Sequence, residues 1–133
     1  MPTAVDSSVL LDVLLDDPLH AESSEAALRE ANGLIVCETV VAEVVPVLVG
    51  APLREFLADW QIQFIPSTLE SAALAGEMFR IYLERGGKRG RTVPDFLIAA
   101  PAQFLAGELL ARDRGYYRDY FHGLKLRDPS VQK

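Results

Sequence analysis

Cysteine occurs once in the 133-residue chain, at Cys37, and histidine only twice, at His20 and His122. A single thiol excludes a disulfide within the chain and fits a reducing compartment. With so few sulfur and imidazole groups there is no cluster of the kind zinc prefers. Both histidines read as ordinary surface residues. Long apolar runs are missing too: no stretch of about 18 residues is apolar and free of charge, so no membrane-spanning helix is expected. The apolar segment 9–15 is interrupted by Asp12 and no basic residues precede it, so no secretory signal is expected either. A cytoplasmic protein without a membrane partner follows as the expectation.

Hydrophobic residues make up 50% of the chain, enough to bury a substantial core in one domain over residues 1–133. The formal net charge of −6 argues, taken alone, against a polyanionic partner. Its distribution argues the other way. Residues 1–79 carry 13 acids and 2 bases, whereas residues 80–127 carry 5 acids and 10 bases. An acidic half beside a basic half suits an acidic site that meets an anionic substrate. Solvated helix faces of unequal charge are the plainer alternative.

Short β-branched runs at 3–5, 34–36 and 62–65 read as buried strands, as do 108–111 and 124–126. Helical periodicity fills the intervals. Val9, Leu10, Val13 and Leu14 share one face of a first helix, which Asp16-Asp17-Pro18 breaks; a second covers 19–31, up to Asn32-Gly33. Segment 38–49 has a helical apolar period, with Pro46 set to kink its last turn. A short helix at 53–60 follows. Ser67-Thr68-Leu69-Glu70 reads as a capping box before a helix to Leu83. Segment 85–91 is a basic loop, and Thr92-Val93-Pro94-Asp95 starts another helix, with Pro94 in its first turn. Residues 116–120 form a helical turn. Strands alternating with amphipathic helices predict a parallel sheet covered on both faces, with chemistry outside the strands' carboxyl ends.

Four acids fall where that edge would gather them. Asp6 follows the first strand and Asp113 the fourth; Asp95 opens the helix leading into the fourth strand, and Glu43 lies among valines on the helix after the second. Each has a plainer reading. Asp6 suits a helix cap, Asp95 a helix dipole, Asp113 an ion pair with a neighbouring arginine, and Glu43 the border of an apolar face. Together they point to a hard divalent cation, Mg²⁺ or Mn²⁺, because clustered carboxylates repel one another and oxygen ligands suit such ions.

At these residues the sequence resembles the PIN-domain family, and within it the VapC-type toxins. The matching segments are Val5-Asp6-Ser7-Ser8-Val9-Leu10, Thr39-Val40-Val41-Ala42-Glu43-Val44, Pro94-Asp95-Phe96-Leu97-Ile98-Ala99-Ala100 and Leu109-Leu110-Ala111-Arg112-Asp113-Arg114, closed by Tyr120-Phe121-His122-Gly123-Leu124-Lys125-Leu126. The resemblance implies a three-layer α/β/α sandwich around a five-stranded parallel sheet of order 3-2-1-4-5. It also implies that Asp6, Glu43, Asp95 and Asp113 are an acidic quartet hydrolysing RNA with Mg²⁺ or Mn²⁺. A homodimer and a cognate antitoxin covering the active site are implied as partners. Ala111 stands where the family often has Thr or Ser, and Pro101 and Pro46 fall in the helices of Asp95 and Glu43, where they can displace a carboxylate.

On this reading Arg85, Lys88, Arg89 and Arg91 meet the RNA backbone, with Arg112, Arg114 and Arg118 as further contacts. Ser8 either positions a ligand or starts a helix. Tyr116, Tyr117 and Tyr120 either stack on bases or pack in the core. Two alternatives stand beside the nuclease. A Mg²⁺-dependent phosphatase lacks the second carboxylate that would be expected two residues after Asp6. A catalytically weak or inactive PIN-like domain would bind RNA or a protein without cutting.

Overall fold

The computed structural model describes residues 1–48, 52–88, 93–112 and 115–131. Five strands form one parallel sheet: β1 (Thr3–Val5), β2 (Leu34–Val36), β3 (Ile62–Phe64), β4 (Glu108–Leu110) and β5 (Lys125–Arg127), in the order β3-β2-β1-β4-β5. Helices cover both faces, giving the expected three-layer α/β/α sandwich. Each strand is three residues long, and every residue of the central β1 and β2 is buried, whereas the edge strands β3 and β5 carry polar, exposed residues such as Gln63 and Lys125.

The helices are α1 (Ser7–Leu14), α2 (Ala21–Glu30), α3 (Glu38–Val44), α4 (Leu53–Asp59), α5 (Leu69–Glu84), α6 (Val93–Leu105) and α7 (Tyr116–Tyr120). Segment 38–49 is not one kinked helix. α3 stops at Val44 and a single 3₁₀ turn, Val45–Val47, follows, since Pro46 has no N–H to continue the α ladder; Val49 lies outside the described residues. The capping box sits one residue later than the sequence suggested. Thr68 is the cap: its Oγ1 accepts from the Ser71 amide at 3.1 Å, and Ser71 Oγ accepts from the Thr68 amide at 2.9 Å. Glu70 stays exposed while Ser71 is buried, so the shorter side chain closes the box.

α6 runs unbroken through Pro101. A proline frees the carbonyl four residues earlier, here that of Leu97. The Cys37 thiol, 3.8 Å from Leu97 O, donates to that carbonyl and so gives the lone cysteine a structural task.

A polar latch joins the sheet to the first two helices. Asp12, on α1 and 2% exposed, accepts two hydrogen bonds from the Arg112 guanidinium, at 2.9 and 2.8 Å, and one from Ser24 Oγ of α2, at 2.7 Å. The Arg112 amide donates to Ser8 Oγ at 3.2 Å. Side chain and backbone together therefore fix the chain as it leaves β4. A forked pair of this geometry is the strong form of a charge-assisted bond. Removing one partner is costly in proportion to how buried the other is. Arg112→Ala leaves a sequestered carboxylate and is expected to lower the unfolding free energy by about 3–5 kcal/mol. Asp12→Asn leaves a guanidinium that reaches solvent and should cost roughly half as much. Urea denaturation of both variants checks the order, and a larger loss for Asp12→Asn would contradict it.

Candidate functional site

β1 is flanked by β2 and β4, so the chain leaves β1 and its two neighbours at one edge of the sheet. A cleft of about 570 Å³ opens there, and its wall includes Asp6, Ser7, Ser8, Glu43, Asp95, Arg112 and Tyr117. Asp12, Asp17 and Asp128 add further carboxylates, against the single arginine and the single histidine, His20, that the described wall contains. The cleft is acidic.

Asp6 is both cap and wall. With extended backbone, φ −79° and ψ 152°, it ends β1, and its Oδ2 accepts from the Ser8 amide at 3.0 Å to start α1. Its Oδ1 accepts from the Tyr117 hydroxyl at 2.7 Å. That hydroxyl also lies 3.5 Å from Asp95 Oδ1, in the first turn of α6. Burial, and then the negative charges of Asp6 and Asp95, push the Tyr117 phenol far above its ordinary range, so it remains a neutral donor. Glu43, an exposed residue of α3, lines the cleft, and its Oε1 accepts from Ser7 Oγ at 2.8 Å. Three of the four predicted acids thus line one cavity. Asp113, like Arg114, lies outside the described residues.

α7 reaches the cleft because aromatic rings hold it. Tyr82 of α5 and Phe96 of α6 pack edge-on or tilted against Tyr116 and Tyr120, with ring centroids 5.3–6.4 Å apart. Gly115 precedes the helix at φ 103°, a left-handed conformation that glycine adopts without strain. Tyr116 and Tyr120 are half-buried and pack against the core, and Tyr116 also lines the cleft. Tyr117 is buried as well, yet its hydroxyl belongs to the site. Sequence reasoning missed this, because nothing near Tyr117 in the chain shows that its hydroxyl meets Asp6, 111 positions away.

The predicted basic contacts divide. Arg85 and Lys88 are exposed, and the Arg85 guanidinium lies over the Tyr120 ring at 5.0 Å. Arg118 is also exposed. Arg89 and Arg91 lie outside the described residues. Arg112 lines the cleft, but its donor fork is engaged by Asp12. Ser8 serves the fold on both sides, through its amide to Asp6 and its hydroxyl to Arg112. His20, read as a surface residue, lies on the cleft wall, whereas His122 is exposed beside the Asp119 carbonyl.

Among the described residues no three side chains of the metal-binding types stand together as a finished cluster. The donor chemistry nevertheless fits a hard divalent cation, since the cleft offers carboxylate and hydroxyl oxygens. Asp6 supplies the physical case. The residue is 5% exposed, and both hydrogen bonds its carboxylate accepts among the described residues come from neutral groups. A buried carboxylate whose hydrogen bonds among the described residues come from neutral groups alone is costly, and a cation beside it offsets that cost.

Residues 3–121 match the PIN domain family. No curated protein matches the chain in sequence. Among solved structures, VapBC-1 from nontypeable Haemophilus influenzae is similar at a TM-score of 0.70 and 14% identity, over 98% of this chain and 100% of that one. FitAcB from Neisseria gonorrhoeae gives 0.69 and 19%, over 98% and 99%. VapBC2 from Rickettsia felis, bound to a DNA fragment from its promoter, gives 0.68 and 16%, over 96% and 98%. At such identities the likeness establishes the fold; the family match over most of the length establishes more. The chain belongs to the PIN domain family.

Proposed function

We propose that the chain is a metal-dependent endoribonuclease, a VapC-like toxin that hydrolyses RNA phosphodiester bonds. The observation that carries this reading is the buried Asp6 carboxylate at the end of the central strand, facing a cleft shared with Glu43 and Asp95. Family membership supports it. The neighbouring structures include a toxin–antitoxin complex from Klebsiella pneumoniae, which supports an antitoxin as protein partner. A homodimer working in the cytoplasm completes the proposal. Among the described residues no helix is long and apolar enough to cross a membrane.

Asp6, Asp95 and Asp113 would hold Mg²⁺ or Mn²⁺, with Glu43 completing the set directly or through water. Such an ion, when bound, makes water more acidic and offsets charge on the attacked phosphate. The chain's own groups do the positioning. Ser7 orients Glu43, and Ser8 and Tyr117 orient Asp6. Arg85 and Lys88, with Arg89, Arg91 and Arg114, draw the phosphate backbone toward an otherwise repulsive acidic cleft.

Structured RNAs incubated with the protein in Mg²⁺, Mn²⁺ or EDTA test the reading. Cleavage should require the metal and should fall at least about a hundredfold in Asp6→Asn, since a metal site contributes several kcal/mol to such a transition state. Cutting that persists in EDTA, or in Asp6→Asn, overturns it. RNA affinity should drop steeply with salt. Arg85→Ala with Lys88→Ala should flatten the log–log slope by about 0.7 for each single-strand phosphate no longer neutralised. An unchanged slope removes those two side chains from the interface. Light scattering of the isolated chain should give twice the monomer mass of 14.6 kDa.

A further inference from the structure

We propose that Tyr117 is a positioning residue for the Asp6–Asp95 carboxylate pair, holding Asp6 in the one orientation from which it binds a divalent ion. The proposal rests on the nuclease reading of the cleft. It gives α7, which carries none of the acids, a part in the site.

The geometry is specific. Tyr117 is 4% exposed, and its hydroxyl donates to Asp6 Oδ1 at 2.7 Å, across 111 positions of sequence. The same oxygen stands 3.5 Å from Asp95 Oδ1, so one hydroxyl touches carboxylates from two different elements. Asp6 Oδ2 is held from the other side by the Ser8 amide at 3.0 Å. Among the described residues one donor holds each oxygen, which resists turning of the carboxylate plane while each oxygen keeps a lone pair for a cation. Ligating carboxylates are commonly fixed by such outer hydrogen bonds, and their removal typically weakens metal binding about 10–100-fold.

A space-filling ring would need no polar end here. Phe at this position would pack against the same neighbours and leave Asp6 Oδ1 without its donor. The surroundings make the hydroxyl's place rigid. Tyr116 and Tyr120, on either side of it in α7, are clamped by Tyr82 and Phe96, so the helix cannot slide away from the cleft.

Mn²⁺ binding, followed by the disappearance of the free-ion electron paramagnetic resonance signal, tests this without relying on catalysis. Tyr117→Phe should weaken Mn²⁺ about 10–100-fold, and its kcat should fall more than its KM for RNA changes. Tyr120→Phe, which removes a hydroxyl one turn away that meets neither carboxylate, should bind Mn²⁺ as the unmodified chain does. Replacing Tyr117 with p-aminophenylalanine keeps a donor on the same ring and should restore affinity. This replacement also keeps the proposal testable if Tyr117→Phe folds poorly. Unchanged or tighter Mn²⁺ binding in Tyr117→Phe, or no recovery with the amino ring, overturns the proposal. Asp6→Asn in parallel separates the two readings. If it leaves Mn²⁺ affinity intact, the metal assignment itself fails; if it abolishes binding while Tyr117→Phe does not, only the role of Tyr117 falls.

Discussion

Strand β1 hydrogen-bonds to β2 on one side and β4 on the other, and both partners run parallel to it. A parallel sheet brings every carboxyl end to one edge, and the reversal of strand order around β1 leaves a crevice there. Whatever follows β1 and β4 must face that crevice. Asp6 follows β1 directly, and Arg112 stands two residues beyond β4. The acidity of the cleft is thus a consequence of topology acting on a few residues, and the burial of Asp6 is a consequence of its strand lying at the centre.

Much of this was legible because it is local. Three-residue runs such as Leu34–Val36 are too short and too β-branched for helices, and the interleaved helical periods left few alternatives to a parallel sheet. Asp6, Glu43 and Asp95 could be picked out because their positions relative to strand ends and helix starts are themselves local facts. Two of them turned out to combine roles that looked like rivals in the sequence. Asp6 caps α1 and lines the cleft, and Asp95 occupies a first turn while meeting the Tyr117 hydroxyl.

What escaped depends on partners far apart in the chain. Asp12 looked like an interruption of an apolar segment, because nothing near it reveals that Arg112 closes on it from 100 positions away. Arg112 in turn looked like a phosphate contact, since sequence shows its charge but not its partner. Tyr117 shares the spacing of core aromatics and is indeed buried, so its pattern carried the packing and hid the hydroxyl. Pro101 suggested a disturbed helix. Its cost is met from a different layer, where Cys37 supplies a weak donor to the Leu97 carbonyl.

The long reach of these interactions also governs when the protein can exist as a folded object. β1 and Asp6 are made about a hundred residues before β1's second neighbour, the Arg112 latch and the Tyr117 hydroxyl, which come from residues 108–117. Pairings so remote in sequence cannot form until the intervening chain has been made, and they slow folding because a large loop must close. A ribosome therefore carries most of this chain while its cleft is still incomplete. If the cleft cuts RNA, the cell that makes it is spared an active cutter tethered to its own message until residues 108–117 emerge.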